Sequence, residues 1–129
     1  MRSFKLLLFI ACVFGLAGHA ERARAGHKAH GRRQVQTAAR AESLFRQSCA
    51  RCHGLDGRAR TELGELTGAP DFADAAWQEG RSGQRMRASI AHGRGGMPSF
   101  KDRLSPGEIA SLVAYIRGFQ KVADQNPRR

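Results

Sequence analysis

Apolar side chains are distributed along this chain in three regimes. Residues 6–17, LLLFIACVFGLA, form one unbroken apolar run, residues 21–36 hold almost no large apolar side chain, and from residue 37 onward apolar positions recur at helical spacing. Leu44, Phe45, Ser48, Cys49 and Cys52 lie 3, 4, 7, 8 and 11 positions after Ala41, which predicts one continuous helix face over Ala38–Cys52 with both thiols turned inward beneath Phe45. A helical turn is expected around Asp74–Trp77, and a further helix from about Ser82 to His92, where Met86 and Ile90 stack at i and i+4 and Gly93 stops the run. Ser105-Pro106-Gly107-Glu108 combines a Ser N-cap, Pro at the first helical position and Glu at the capping-box position. The helix it opens carries Ile109, Leu112, Val113 and Ile116 as its stripe, widened by Tyr115 and Phe119, and should end before Pro127. Gly54–Asp71 is glycine-rich and reads as a loop, and no segment alternates like a strand, so the fold class is all-α.

The first two regimes bear on location. Arg2 and Lys5 precede the 12-residue apolar run, and Gly18 and Ala20 follow it, the layout of a secretory signal peptide over 1–20 cut after about Ala20. The run is shorter than the roughly 18 residues of a membrane span, so an uncleaved anchor is the less favoured reading. Cys12 lies inside it, read as a small hydrophobe, with a lipid-modified cysteine as the lesser alternative because few apolar residues precede it. Residues 21–36 carry five Lys or Arg against one Glu and are expected to be a basic disordered arm, with His27 and His30 solvated. The whole chain has a formal net charge of +11. The arm has no aromatic residue to stack on bases, and an exported protein seldom meets nucleic acid, so no nucleic-acid partner is expected. Residues 122–129 read as a disordered tail, leaving 37–121 as the folded domain.

That domain is short of core. Leu44, Phe45, Phe72, Trp77, Ile90, Phe100 and Leu104, with the stripe of the last helix, are most of its large apolar side chains. A domain this small commonly needs a staple or a cofactor.

The stretch SCARCHG, residues 48–54, is the candidate chemistry. A zinc site needs four ligands, yet the only other His in the domain is His92 and there is no third cysteine. A thioredoxin-like site needs a strand leading into the helix that carries C-x-x-C, and these thiols lie at the end of a helix. C-x-x-C-H also reads as c-type haem attachment, a use that engages Cys49, Cys52 and His53 together. Two thiols one helical turn apart can bind the two vinyl groups of one porphyrin while His53 ligates the iron, and the flat apolar ring would complete the core.

On these residues the chain resembles the class I c-type cytochromes, in particular the short bacterial monohaem domains also fused to oxidase and dehydrogenase subunits. The resemblance covers about residues 37–121. AESLFRQSCARCHGLDG is similar to the family's first helix and attachment site, with Phe45 as the aromatic four positions before the first Cys; LSPGEIASLVAYIRGF is similar to its last helix. The resemblance implies a small all-α fold of three to five helices around one haem c bound covalently through Cys49 and Cys52, its N- and C-terminal helices crossing at Ala41, Leu112 and Tyr115. It implies His53 and Met97, in HGRGGMPSF, as axial ligands. Met86, whose spacing to Ile90 reads as packing, and His92, at a helix end, are the weaker candidates. Pro70, in TGAPDF, is implied as the proline whose carbonyl receives the other ring N–H of His53, with a plain turn proline as the alternative. Trp77 is either a donor to a haem propionate or a core residue, and the sequence does not choose among arginines such as Arg81 and Arg85 for the propionates.

The function expected from this resemblance is a periplasmic one-electron carrier, not an enzyme, working as a monomer. Its redox partners, an oxidase, reductase or dehydrogenase, would present acidic docking surfaces, and the basic arm would add contact with anionic membrane surfaces. Two alternatives stay open: a catalytic or gas- or peroxide-sensing haem with a labile Met97, and a fixed haem subunit of a dehydrogenase or oxidase complex.

Overall fold

The computed structural model describes residues 31–125; the leader, Cys12, His27, His30 and Pro127 lie outside the described residues. Contacts divide the chain after Gln36, and the candidate chemistry belongs wholly to the unit that begins at Thr37. Helical backbone covers 31–48 (α1), and residues 31–36, expected as part of a disordered arm, are helical and exposed.

Among the described residues five further helices come after it: α2 (Ala50–His53), α3 (Glu62–Thr67), α4 (Ala75–Glu79), α5 (Gly83–His92) and α6 (Pro106–Gln125). The same residues contain no strand, only an isolated bridge between Arg94 and Met97. None of these helices is long and apolar enough to cross a membrane.

The helix expected over Ala38–Cys52 is interrupted at Cys49, whose φ of −119° departs from helical geometry. The chain keeps its course because the Cys49 N–H donates to the Phe45 carbonyl at 2.8 Å and the His53 N–H to the Cys49 carbonyl at 2.9 Å. The interruption therefore leaves the C-x-x-C-H segment on the course of α1.

Helix α3 lies in the stretch read as a loop. Thr61 caps it, accepting from the Gly64 N–H at 2.9 Å, Glu62 and Glu65 occupy its first turn, and Gly68 ends it in the left-handed conformation. Helices α4 and α5 are capped by Asp74 and Ser82, which accept from the Trp77 and Arg85 N–H groups. The capping box of α6 forms as expected: the Glu108 N–H donates to Ser105 Oγ at 3.3 Å, and the Ser105 N–H donates back to Glu108 Oε2 at 2.9 Å. Helix α6 continues through 122–125, which the sequence assigned to a disordered tail.

Phe45 and Leu112 are fully buried, and Phe72, Met86, Ile90, Phe100, Leu104, Ile109, Val113 and Ile116 complete the core. Leu44, Trp77, Tyr115 and Phe119 are half-buried against it. Helices α1 and α6 meet where Phe45 packs on Tyr115 and Phe119, with centroids 5.3 and 5.1 Å apart, and Ala41 is buried. Arg40 of α1 also pairs with Glu108 of α6. Helix α2 packs on α3, while α4 and α5 both pack on α6.

Candidate functional site

These helices leave a large cavity, about 830 Å³, within the roughly 300–1,000 Å³ of a cofactor pocket. Its walls bring together Cys49, Cys52 and His53 from the attachment segment, Pro70 and Phe72 from the loop after α3, Trp77 from α4, Met86 and Ile90 from α5, and Met97 from the loop after α5. Phe45, Phe100, Leu112 and Ile116 supply further apolar wall. All six residues singled out from the sequence, Cys49, Cys52, His53, Pro70, Trp77 and Met97, thus line one space. Met86 lines it too but belongs to the buried core, whereas His92 is exposed and does not line it.

The thiols are unbridged and half-buried. Burial, followed by the neighbouring Cys52, pushes the Cys49 thiol up to about 11, so it is held protonated. A disulfide-exchange nucleophile needs the opposite shift. Among the described residues no three His, Cys, Asp or Glu side chains gather as a metal-ion cage.

His53 is 7% exposed, and its Nδ1 is buried without full hydrogen-bond geometry to any partner. Burial, the larger effect, lowers the imidazole's pKa; the Pro70 backbone is close enough to oppose it, raising the pKa, although the contact falls short of a well-formed bond. The Pro70 backbone thus lies near the His53 ring. The Phe72 ring lies stacked against the same imidazole.

The Met97 loop is built tightly. Arg94 and Met97 exchange both backbone hydrogen bonds at 3.0 Å, Ser99 Oγ donates to the Ala91 carbonyl at 2.7 Å, and the Phe100 N–H donates to the Ile90 carbonyl at 3.1 Å. At Gly93, φ is +78°, and a Cβ there would stand 2.6 Å from the Met97 carbonyl oxygen. Only glycine lets the end of α5 and this loop lie so close.

Among the described residues three arginines, Arg81, Arg85 and Arg94, line the cavity and no Asp or Glu does. Sequence reasoning named Arg81 and Arg85 without choosing between them, and it missed Arg94 and the buried Gln78. The sequence carries no signal for Gln78, a polar residue on a short helix, because its partners are the Phe72 and Ile116 main-chain carbonyls and the Arg117 side chain, the last two distant in sequence.

The donor set and the apolar walls fit a covalently held haem c: two thiols one turn apart, an adjoining imidazole, a thioether, and a cavity the size of a cofactor. Comparison with known proteins agrees. The family model described as "Cytochrome C oxidase, cbb3-type, subunit III" matches residues 36–116. The Cbb3-type cytochrome c oxidase subunit FixP of Bradyrhizobium diazoefficiens is 33% identical over 85 residues, which are 65% of this chain and 28% of that protein. Subunit CcoP of Rhodobacter capsulatus is 34% identical over 83 residues, 58% of this chain and 27% of that protein. The chain thus spans little more than a quarter of the length of these relatives. Among solved structures, the KustC0563 c-type cytochrome superposes with a TM-score of 0.60 at 43% identity, covering 62% of this chain and 96% of that one. With the family model matching well over half of its residues, this chain belongs to the cytochrome c family of cbb3-type oxidase subunit III, as a c-type cytochrome domain of the all-α fold.

Proposed function

We propose that residues 37–121 form a monohaem electron-transfer domain in which Cys49 and Cys52 hold the porphyrin by thioether bonds and His53 and Met97 ligate the iron. The observation that carries this reading is the gathering of all four side chains on one apolar cavity. When bound, a Met/His-ligated haem supplies reversible one-electron chemistry with a raised potential and no vacant position for substrate. The chain's own residues do the rest. Phe45, Phe72 and Leu112 keep water from the buried wall, the nearby Pro70 carbonyl would take a ring N–H of His53 and so orient the imidazole, and the Arg94–Met97 pairing fixes the Met97 side chain's point of departure. Trp77 and the cavity arginines serve the propionates.

Within this function the relatives favour a fixed subunit of an oxidase complex over the freely diffusing carrier expected from the sequence, because the curated proteins it matches are named as oxidase subunits. The carrier reading retains one observation: the KustC0563 c-type cytochrome is almost wholly spanned by this one domain. In either case we place the protein outside the cytoplasm, with its leader removed after about Ala20, exchanging electrons with a partner whose docking face is acidic.

Co-purification separates the two. The full chain, tagged and expressed in a bacterium that matures haem c and makes a cbb3-type oxidase, should remain with the oxidase in detergent through a high-salt wash. Quantitative release by salt, with electron exchange that slows as ionic strength rises, would instead establish the carrier.

A further inference from the structure

Gln78 is 2% exposed, yet its side chain is fully engaged: Nε2 donates to the Phe72 carbonyl at 2.7 Å and to the Ile116 carbonyl at 3.0 Å, and Oε1 accepts from Arg117 Nη1 at 2.7 Å. The same Nη1 donates to the Gln78 main-chain carbonyl at 2.5 Å, and Nη2 donates to the Arg81 carbonyl. A guanidinium on α6 is therefore met by three neutral oxygens, and none of the ion pairs among the described residues involves it. This network does more than fill space, since a leucine at 78 would take this donor away from the Phe72 and Ile116 carbonyls. What it does is fix main-chain positions, since a buried carbonyl left without its donor costs more than the bond returns when made.

Two of the positions it fixes, Phe72 and Arg81, bear on the cavity. Phe72 is held from two directions, by Gln78 on its carbonyl and through its own N–H on the Gly57 carbonyl at 2.7 Å. Its ring stacks on His53 with centroids 4.3 Å apart and 18° between planes. Arg81, whose carbonyl Arg117 grips, lines the same space.

We propose that Gln78 and Arg117 are positioning residues for this site: through Phe72 they set the plane of the His53 imidazole, and through the turn after α4 they set Arg81. The inference rests on the reading of His53 as an iron ligand. The orientation of an axial imidazole governs the pattern of haem-methyl shifts in the oxidised protein, a readout that a merely stabilising role would not move.

The experiment records paramagnetic NMR and thermal unfolding of the haem-attached full chain as wild type, Gln78→Leu, Arg117→Met and Arg117→Lys. Arg117 is only partly buried, so its variants decide the matter if Gln78→Leu does not fold. We expect Arg117→Met and Gln78→Leu to change the spread and order of the methyl shifts with the iron still low-spin, and Arg117→Lys, one ammonium facing three carbonyls, to change them less. Lower melting temperatures with an unchanged methyl pattern in both Arg117 variants would overturn the proposal. A wild type without low-spin haem would instead overturn the ligation reading on which it stands.

Discussion

The His53 imidazole and the Phe72 ring lie stacked, 4.3 Å between centroids, and Phe72 in turn contacts Trp77 at 5.0 Å and Phe45 and Phe119 at 6.3 Å. The candidate ligand is thereby joined to the aromatic cluster at which α1 and α6 cross. Phe72→Leu keeps most of the buried volume but removes the flat face, and should destabilise the haem-attached protein by about 1–2 kcal/mol. Urea unfolding checks this, and an unchanged midpoint would show that the stack contributes nothing.

Gly93→Ala should loosen the Met97 loop. A Cβ would lie 2.6 Å from the Met97 carbonyl oxygen and 3.0 Å from backbone atoms of Pro98 and Ser99, and the φ of +78° is strained for alanine. Strain of this kind costs about 1–3 kcal/mol. The variant should fold with a lower melting temperature and bind carbon monoxide in its reduced form more readily than wild type. Melting and carbon monoxide titration curves superposable on wild type would contradict this.

Helix α3 should prove necessary to the attachment segment. A Cβ on Gly64 would stand 2.4 Å from the carbonyl oxygens of both Cys52 and Ala59, and Thr61 Oγ1 donates to the Cys52 carbonyl at 2.9 Å while it caps α3. Gly64→Ala should therefore reduce the yield of covalent haem, read by mass spectrometry of the purified chain. Thr61→Val, which loses the cap and the tie to Cys52, should lower stability by about 1 kcal/mol with attachment retained. Full attachment in Gly64→Ala would show that α3 can move away at no cost.

Acid should weaken the α1–α6 contact through Glu108. The Ser105 N–H first, then the Arg40 guanidinium and the Ser105 hydroxyl, hold this carboxyl down at about 2 from its ordinary 4.5. A depressed folded-state pKa means that the carboxylate's contribution is complete above about pH 4.5 and disappears as pH falls through about 2. The stability gap between wild type and Glu108→Gln should be constant from about pH 7 to pH 5 and close between about pH 4.5 and pH 2. Urea midpoints at each pH check this; a gap that persists undiminished at about pH 2 would exclude the ion pair and capping box as its source.

Much of the fold is legible in the sequence because its signals are local. Helices α5 and α6 announce themselves by caps and by apolar stripes, and SCARCHG marks Cys49, Cys52 and His53 as candidate chemistry by spacing alone. Helix α3 escapes a sequence reading although Thr61, Glu62 and Gly68 mark its ends, since a glycine inside and one at the boundary outweigh those marks in a glycine-rich stretch. The break at Cys49 is invisible because the 3.6-residue pattern continues through it. The Gln78–Arg117 network and the closeness of Gly64 to Cys52 depend on tertiary packing, for which periodicity carries no information. Pro70 and Trp77 are reached as site residues only through the family resemblance, and both line the cavity.

The electron-transfer reading stands on His53 and Met97 ligating one covalently held haem iron. Optical spectra of the wild type and Met97→Ala, oxidised, reduced and reduced with carbon monoxide, test this most directly. The expected result is a low-spin wild type that ignores carbon monoxide, with a near-infrared sulfur-to-iron band that disappears in Met97→Ala as carbon monoxide binding appears. A wild type that binds carbon monoxide readily, or a near-infrared band that survives in Met97→Ala, would contradict it, the first by pointing to a catalytic or sensing haem and the second to Met86 as the ligand.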